Sequence, residues 1–157
     1  YIGDEACAKA SVLNLKNVIE KGVITDFKDM KKIWNHTFYN ELIQNPFKYC
    51  IFLTDKQFTK IEHREKIAEI MFEKFNVPSF FIASENYLSL LASGGTTGIS
   101  LNIGDSVCSC SAIYEGYYCP NALTVNNDIA GRNLTEWLRK LYLMKVVIIL
   151  QLHLKKK

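Results

Sequence analysis

The chain lacks the residue patterns that mark several large functional classes. Its five cysteines are Cys7, Cys50, Cys108, Cys110 and Cys119, and no two of them form a CxxC pair. An odd count without such a pair argues against both a disulfide framework and a zinc ribbon. The three histidines form no HExxH motif, and the sequence contains no GxSxG segment and no cysteine–histidine spacing typical of a nucleophile pair. Nothing in the residues therefore supports histidine-ligated metal or covalent catalysis.

A long apolar run, a basic face and a signal peptide are also missing. The run from Val146 to Leu154 is interrupted by Gln151 and His153, and it falls well below the roughly 20 residues that span a bilayer. The net charge of +3 is small, and the terminal residues 155–157 contribute to it, so no nucleic-acid partner is indicated. The acidic opening at residues 1–5 lacks the apolar core of a signal peptide. We predict neither a membrane span nor a nucleic-acid partner.

What is present is the composition of a globular protein. The chain has 157 residues, of which 48% are hydrophobic and 22% are charged. The cysteines are predicted to be small buried hydrophobic residues in a reducing cytosol. Cys108 and Cys110 stand two positions apart in a strand-like run, which places both thiols on one face of a sheet.

Helical patterns recur along the chain. Asp26 is a good N-cap with Asp29 at N3, and the helix that follows has an apolar stripe of Phe27, Met30, Trp34 and Phe38. A second helix is predicted from about Glu62 to Phe75, with an inner stripe of Ile67, Ile70, Met71 and Phe75. A third runs from about Glu85 to Ala92 and stops at Gly94-Gly95, as expected of a glycine C-cap. The aromatic residues Trp34, Phe38 and Phe75 are interpreted as core.

Strand patterns alternate with these helices. The apolar runs Tyr49–Leu53 and Phe80–Ala83 are typical of strands buried on both faces. Strand–helix alternation of this kind favours an α/β fold with a partly parallel sheet. Beyond position 94, where a boundary between two lobes is predicted, 97–103 and 107–114 form a hairpin, one short strand follows Pro120, and a helix runs from about Gly131 to Lys145.

The hairpin turn Gly104-Asp105-Ser106 is the best phosphate site on physical grounds. Successive backbone N–H groups in such a turn can form a concavity that holds an anion. Gly104 can take positive φ and lets a ligand approach the main chain, and Ser106 adds a hydroxyl donor. Most turns of this composition only reverse the chain, so both interpretations stay open. The glycine-rich segment at 94–98 lacks the lysine of a Walker motif and does not open a helix.

Several longer segments resemble the actin family closely. They are Tyr1-Ile2-Gly3-Asp4-Glu5-Ala6, the run from Ile33 to Leu42, Arg64-Glu65-Lys66, Thr96-Thr97-Gly98-Ile99, Tyr114-Glu115-Gly116-Tyr117 and Ala130-Gly131-Arg132. The resemblance continues almost without gaps to about residue 144, and the tail at 146–157 departs from it. It implies an α/β, actin-like (RNase H-like) two-lobed ATPase fold, incomplete here, with mixed sheets flanked by helices.

The resemblance also implies an organisation and a function. Residues 1–17 would form the edge of a small outer lobe, 18–92 the body of the first lobe, and 93–157 the start of the second lobe. The complete form would bind ATP or ADP with Mg²⁺ or Ca²⁺ between the lobes, hydrolyse ATP and assemble into or regulate filaments of the cytoplasmic cytoskeleton. Other actin-family subunits and actin-binding proteins would be its partners. Segments that hold adenine and ribose would lie outside residues 1–157, so this chain alone is not expected to be a competent ATPase.

The resemblance assigns site residues one by one. Phosphate would be bound by Gly104, Asp105, Ser106, Val107 and Arg132, and partner helices would dock near Leu91, Thr96 and Tyr117. Where the family's hairpin reads Asp-Ser-Gly-Asp-Gly, this chain reads Asn102-Ile103-Gly104-Asp105-Ser106. Glu85 stands where the family's catalytic glutamine orients the attacking water. Relative to the family, one carboxylate is lost at Asn102 and another is gained at Glu85, so the formal charge that faces a water-bound cation is unchanged. Glu85 is also a candidate base.

Three alternatives remain. One is a pseudo-actin, an interaction module whose pocket has decayed while its surfaces survive, which the changes at Asn102, Glu85 and Ser106 favour. Another is a truncated gene product without nucleotide turnover. The last, a sugar kinase or chaperone of the same two-lobed superfamily, fits poorly, because matches such as Trp34 to Leu42 lie outside the phosphate motifs that those proteins share.

Overall fold

The computed structural model describes residues 1–154, with the side chains of residues 1–146. The chain divides into two compact units, Tyr1–Ser93 and Gly94 onward. The first unit comprises α1 (Asp4–Ala8), β1 (Ile19–Glu20), β2 (Val23–Ile24), α2 (Phe27–His36), β3 (Ile51–Asp55), α3 (Ile61–Glu69), β4 (Phe80–Ser84) and α4 (Glu85–Ala92). The second comprises β5 (Gly98–Ile103), β6 (Cys108–Tyr114), β7 (Tyr117–Asn126) and α5 (Gly131–Leu154).

The core of the first unit is built from the helical stripes that the sequence predicts. Its buried members are Val18, Met30, Trp34, Phe38, Ile67, Ile70, Met71, Phe75 and Val77. The Phe38 and Phe75 rings meet edge to face with centroids 5.1 Å apart. Each of the two helices continues as a π-helical turn, Thr37–Glu41 after α2 and Ile70–Lys74 after α3. These turns extend the two apolar stripes to Phe38 and Phe75. The core assignment of Trp34, Phe38 and Phe75 is confirmed.

Helix α2 begins at the N-cap predicted for it. The Asp26 carboxylate accepts hydrogen bonds from the backbone N–H groups of Lys28 at 2.8 Å and Asp29 at 3.2 Å. The ammonium of Lys16 donates to the same carboxylate at 2.5 Å. The bond from Lys16, followed by the two backbone bonds, lowers the pKa of Asp26 from 3.8 to about 2. Asp26 in the folded chain therefore stays ionised at neutral and mildly acidic pH.

Replacing Asp26 tests this cap through its pH dependence. The folded-state pKa lies below the ordinary value, so the charge stabilises the fold above about pH 4, and this contribution is lost as the pH falls through about 2. Asp26→Asn keeps a hydrogen-bond acceptor but does not titrate in this range. We expect the melting temperature of the wild type to exceed that of the variant at pH 6 and the difference to vanish near pH 2, as followed by circular dichroism. A difference that stays constant with pH would contradict this role for the charge.

Strands β3 and β4 pair in parallel, as expected of the predicted partly parallel sheet, and their register runs from Ile51 opposite Phe80 to Asp55 opposite Ser84. The prediction that these strands are buried on both faces is wrong, because Phe52 and Phe81 are 53% and 62% exposed. Their neighbours Ile51, Leu53, Phe80 and Ile82 pack against the core on the other face. A continuous apolar run shows that both faces are apolar, but it does not show that both are covered.

The second unit contains the predicted hairpin and a longer third strand than expected. Strands β5, β6 and β7 form an antiparallel sheet in that order. The turn between β6 and β7 is Glu115-Gly116, with φ of 47° and 84°, which suits a two-residue hairpin. The prediction of a short strand after Pro120 is wrong, because β7 includes Pro120 and runs from Tyr117 to Asn126. Proline is tolerated there because β7 is an edge strand and its ladder with β6 is irregular between Ser111 and Ile113.

Helix α5 is also longer than predicted. It begins at Gly131 as expected but continues past Lys145 to Leu154. β-branched residues cost a helix only a few tenths of a kcal/mol each, so the run from Val146 does not end it. Within the described residues no helix is both long enough and apolar enough to cross a bilayer.

The cysteines are only partly as predicted. All five are free thiols. Cys7 and Cys50 are exposed, so the prediction of burial is wrong for both. Cys108 and Cys110 lie on one face of β6, alternating with buried Ser109 and Ser111, as their spacing predicts.

Candidate functional site

The turn between β5 and β6 is the predicted phosphate site. Ile103 and Cys108 are the last residues in register, and the amide N–H of Gly104 donates to the carbonyl of Val107 at 2.9 Å. Gly104 does not use its capacity for positive φ, which is seen instead at Gly3, Gly22, Gly94 and Gly116. A Cβ on Gly104 would meet the Val107 carbonyl at 3.5 Å, an ordinary contact. Steric strain in the turn itself therefore does not require glycine at this position.

The start of helix α5 is bonded directly to this turn. The amide N–H of Gly131 donates to the carbonyl of Gly104 at 2.9 Å, and that of Arg132 donates to the carbonyl of Asp105 at 2.8 Å. The guanidinium of Arg132 also donates to the Asp105 carboxylate at 2.5 Å. A Cβ on Gly131 would lie 3.3 Å from the Gly104 carbonyl oxygen, a tight contact that would push the helix start and the turn apart by a few tenths of an ångström. These bonds use helix N–H groups that lack partners within the helix.

The turn accepts hydrogen bonds through its carbonyl groups, whereas three of its amide N–H groups have no acceptor in the described part of the chain. Its carbonyls at Gly104, Asp105 and Val107 all accept hydrogen bonds. The amide N–H groups of Asp105, Ser106 and Val107 donate to no residue that the structure describes. Successive amide donors without partners are the property by which main-chain turns bind anions. Four of the five predicted phosphate residues, Gly104 to Val107, form this turn, and the fifth, Arg132, fixes its position.

Asn102 lies on β5, two residues before the turn. It is half-buried and stands in register with Ser109 of β6. The family resemblance assigns it to a water-bound cation together with Glu85, which belongs to the other compact unit. Among the residues described, no group of three or more histidine, cysteine, aspartate or glutamate side chains forms a metal cluster.

Glu85 lies at the carboxyl edge of the parallel pair β3–β4, as the first residue of α4 after Ser84. Ligands of α/β proteins commonly bind at this edge of a sheet. The Glu85 carboxylate forms an ion pair with the ammonium of Lys56, which directly follows β3. The side chains of Lys56 and Glu85 are 16% and 32% exposed, so the pair is largely withdrawn from water. Lys56 bonds to one of the two carboxylate oxygens, Oε2, and so partly neutralises Glu85.

A second ion pair lies beside it. Asp55, the last residue of β3, accepts hydrogen bonds from the Thr59 hydroxyl at 2.6 Å and from Nε of Arg64 at 2.7 Å. Its carboxylate also accepts from the amide N–H of Lys56 at 2.8 Å. Sequence reasoning missed both ion pairs. The available signal was the position of Asp55 and Lys56 at the carboxyl end of a predicted parallel strand.

The three residues predicted to line a partner cleft fall in different units. Leu91 is an exposed residue of α4 in the first unit. Thr96 and Tyr117 are both in the second unit, where the Thr96 carbonyl accepts from the amide N–H of Gly116, the residue before Tyr117, at 2.9 Å. Tyr117 is exposed. The structure therefore brings Thr96 and Tyr117 close together.

A parallel strand pair flanked by helices, together with a three-stranded antiparallel sheet followed by a helix, defines a mixed α/β protein. The family model described as Actin matches residues 1–157, the whole chain. The chain therefore belongs to the actin family. The resemblance read from the sequence is confirmed, and the small sheets flanked by helices correspond to an incomplete actin-like fold.

Proposed function

We propose that the chain is an actin-like protein of the cytoplasmic cytoskeleton whose complete form binds Mg-ATP between two lobes and assembles into or regulates filaments. The proposal is supported chiefly by one observation, the turn at 104–107 with its three unpaired amides fixed to the start of α5. Three N–H groups converging on phosphate oxygens form charge-assisted hydrogen bonds, which are about twice as strong as neutral ones. The lobe assignment of residues 1–17, 18–92 and 93–157 is part of this proposal.

The residues present fit a polyphosphate. The amides of Asp105, Ser106 and Val107 would bind its oxygens, and Arg132 would add donors, since only one of the five N–H groups of a guanidinium is used on Asp105. Bound Mg²⁺ would neutralise phosphate charge and keep most of its waters, so it needs no cluster of protein carboxylates. Asn102 and Glu85 would contact it through water. Leu91, Thr96 and Tyr117 would contact actin-binding proteins, and further actin-family subunits would be the filament partners.

Phosphate binding by the purified chain tests this function. By the family resemblance, the segments that hold adenine and ribose lie outside residues 1–157, so affinity should come from the phosphates alone. We expect ATP, GTP and tripolyphosphate to bind equally, with a dissociation constant of about 1 mM, measured by isothermal calorimetry at low salt. Ser106→Pro, which removes one amide N–H, should weaken binding at least threefold, whereas Ser106→Ala, which keeps it, should bind nearly as the wild type. Equal binding by both variants would contradict an amide site.

A second function, a pseudo-actin interaction module, is favoured by the ion pair between Lys56 and Glu85. A carboxylate already neutralised by a lysine suits a site without nucleotide chemistry. In that case the chain would co-sediment with filaments of an actin-family protein but would bind no polyphosphate. The calorimetric titration decides between the two functions, because only the first predicts saturable binding of tripolyphosphate.

A further inference from the structure

A cavity of about 580 Å³ lies between α1, the segment at 13–18 and the middle of α2. All of its lining residues belong to the first compact unit. Ala6 and Val18 of the lining are buried, whereas Tyr1 and Leu15 are exposed, so one part of the cavity is shielded from solvent and another opens to it. Small-molecule sites in proteins usually have volumes of roughly 300–1,000 Å³, and this cavity falls within that range.

The walls of the cavity are mostly apolar. All three segments contribute aliphatic side chains to them, namely Ile2, Ala6, Leu13, Leu15, Val18 and Ile33. Removing apolar ligand surface from water against such walls is favourable. The walls therefore suit an occupant with an apolar body.

The charged side chains of the lining belong to an alternating row of ion pairs. Lys16 bonds to Asp26 at 2.5 Å and to Oδ2 of Asp29 at 3.0 Å, and Lys32 bonds to Oδ1 of Asp29 at 2.8 Å. The bond from Lys32, followed by that from Lys16, lowers the pKa of Asp29, so its carboxylate is ionised at neutral pH. Asp26 is not part of the lining. The side chains that line the cavity therefore include two lysines and one aspartate, which leaves one positive charge in excess.

Lys32 is the cavity end of this row. Its ammonium has three N–H donors, and the bond to Asp29 uses one of them. Its side chain is 72% exposed, so a ligand can reach the other donors. One carboxylate bound there would continue the alternation of charges and match the single excess positive charge. A phosphate monoester, which carries close to two negative charges at neutral pH, matches it less well.

We propose that this cavity binds a small amphipathic monoanion, an apolar body that ends in one carboxylate. The apolar body would lie against Ala6, Val18 and Ile33, and the carboxylate would accept hydrogen bonds from Lys32. The site uses residues of the first unit alone and does not depend on the proposed function.

Cys7 reports directly on occupancy, because it lines the cavity and is exposed. The experiment titrates the purified chain with octanoate at low salt and follows the alkylation of each cysteine by iodoacetamide, using peptide mass spectrometry. Cys50 is the matched control, since it is exposed but is not part of the lining. We expect saturating octanoate to slow alkylation of Cys7 at least fivefold and to leave that of Cys50 unchanged. 1-Octanol, which has the same chain length without the charge, should bind about threefold more weakly.

Two variants separate the apolar contacts from the charged one. Ala6→Leu fills part of the cavity from α1 and should weaken octanoate and octanol alike, at least tenfold. Ala8→Leu places the same side chain at an exposed position of the same helix, outside the lining, and should bind as the wild type. Lys32→Gln should weaken octanoate about threefold and leave octanol unchanged. Lys28→Gln, which removes an exposed lysine of α2 outside the lining, should change neither affinity.

Several results would overturn the proposal. Octanoate that does not saturate, or that protects Cys7 and Cys50 equally, would show that the cavity is not a site. Octanol that binds as tightly as octanoate, or octanoate affinity unchanged in Lys32→Gln, would show that the cavity does not select a monoanion. If Ala6→Leu does not fold, the two thiols and Lys32→Gln still decide, because neither readout depends on that variant.

Discussion

Gly131→Val is expected to abolish measurable polyphosphate binding while leaving the first compact unit folded. A Cβ at this position would already lie 3.3 Å from the Gly104 carbonyl oxygen and 3.6 Å from Cα of Asp105, and a valine adds two methyl groups to it. The start of α5 must then move away from the turn. The bonds from the Gly131 and Arg132 amides to the turn, at 2.9 and 2.8 Å, would be lost together. At about 1 kcal/mol for each bond, the second unit should lose about 2 kcal/mol of stability.

The measurement is a calorimetric titration with tripolyphosphate, together with a denaturant titration followed by circular dichroism. Asn133→Val is the control, because it places the same side chain at an exposed position in the first turn of the same helix. We expect this variant to bind as the wild type, with a small loss from helix propensity. Binding that survives Gly131→Val would mean that contact between helix and turn does not shape the site.

Asp55→Ala is expected to lower the stability of the folded chain substantially. The Asp55 carboxylate is 11% exposed and accepts from Thr59, Arg64 and the backbone of Lys56. Its removal deprives these donors of that acceptor and leaves the guanidinium of Arg64 without a carboxylate, bonded to the Lys56 carbonyl at 3.0 Å. We expect the free energy of unfolding to fall by about 2–3 kcal/mol, since losing one member of a mostly buried pair costs more than the pair contributes. Chemical denaturation with urea measures this difference.

Two comparisons make the Asp55 result specific. Asp55→Asn keeps one oxygen acceptor and should lose less than Asp55→Ala. Glu69→Ala breaks the exposed Lys66–Glu69 pair and should change stability by no more than about 0.5 kcal/mol. A loss in Asp55→Ala as small as that in Glu69→Ala would show that the network at the strand edge does not hold α3 in place.

Helices α2, α3 and α4 of the first unit could be predicted because short-range physics fixes them. The N-cap at Asp26 and the stripes ending at Phe38 and Phe75 depend on spacing within one helix, and all three are observed. The exposure of Phe52 and Phe81 could not be predicted in this way. Whether a second sheet face is covered depends on which other elements reach it, and an apolar run of five residues carries no information about that.

The candidate site was located from the sequence, but its geometry was not. The turn at 104–107 follows from a hairpin signal, whereas the bonds from Gly131 and Arg132 join residues 27 positions apart. The importance of glycine was correctly suspected but placed at Gly104. The position where a side chain would crowd the turn is Gly131, at the start of the helix. Contacts between distant segments are the part of a site that local patterns do not encode.

The ion pair of Glu85 is another contact between distant segments that local sequence patterns do not encode. The sequence indicates a carboxylate where the family has glutamine, and it suggests a base or a cation ligand. It does not indicate that Lys56, which follows a different strand, neutralises that carboxylate. Only the parallel register of β3 and β4, with Asp55 opposite Ser84, places the two side chains at one edge.

The central claim is that the main-chain amides of the turn after β5 bind phosphate. The most direct test is an amide NMR titration of the isotope-labelled chain with Mg-ATP, with tripolyphosphate as a second ligand. We predict that the largest shifts occur at the amides of Asp105, Ser106 and Val107 and that both ligands produce the same pattern. Saturating shifts elsewhere, with these three amides unmoved, would contradict the claim.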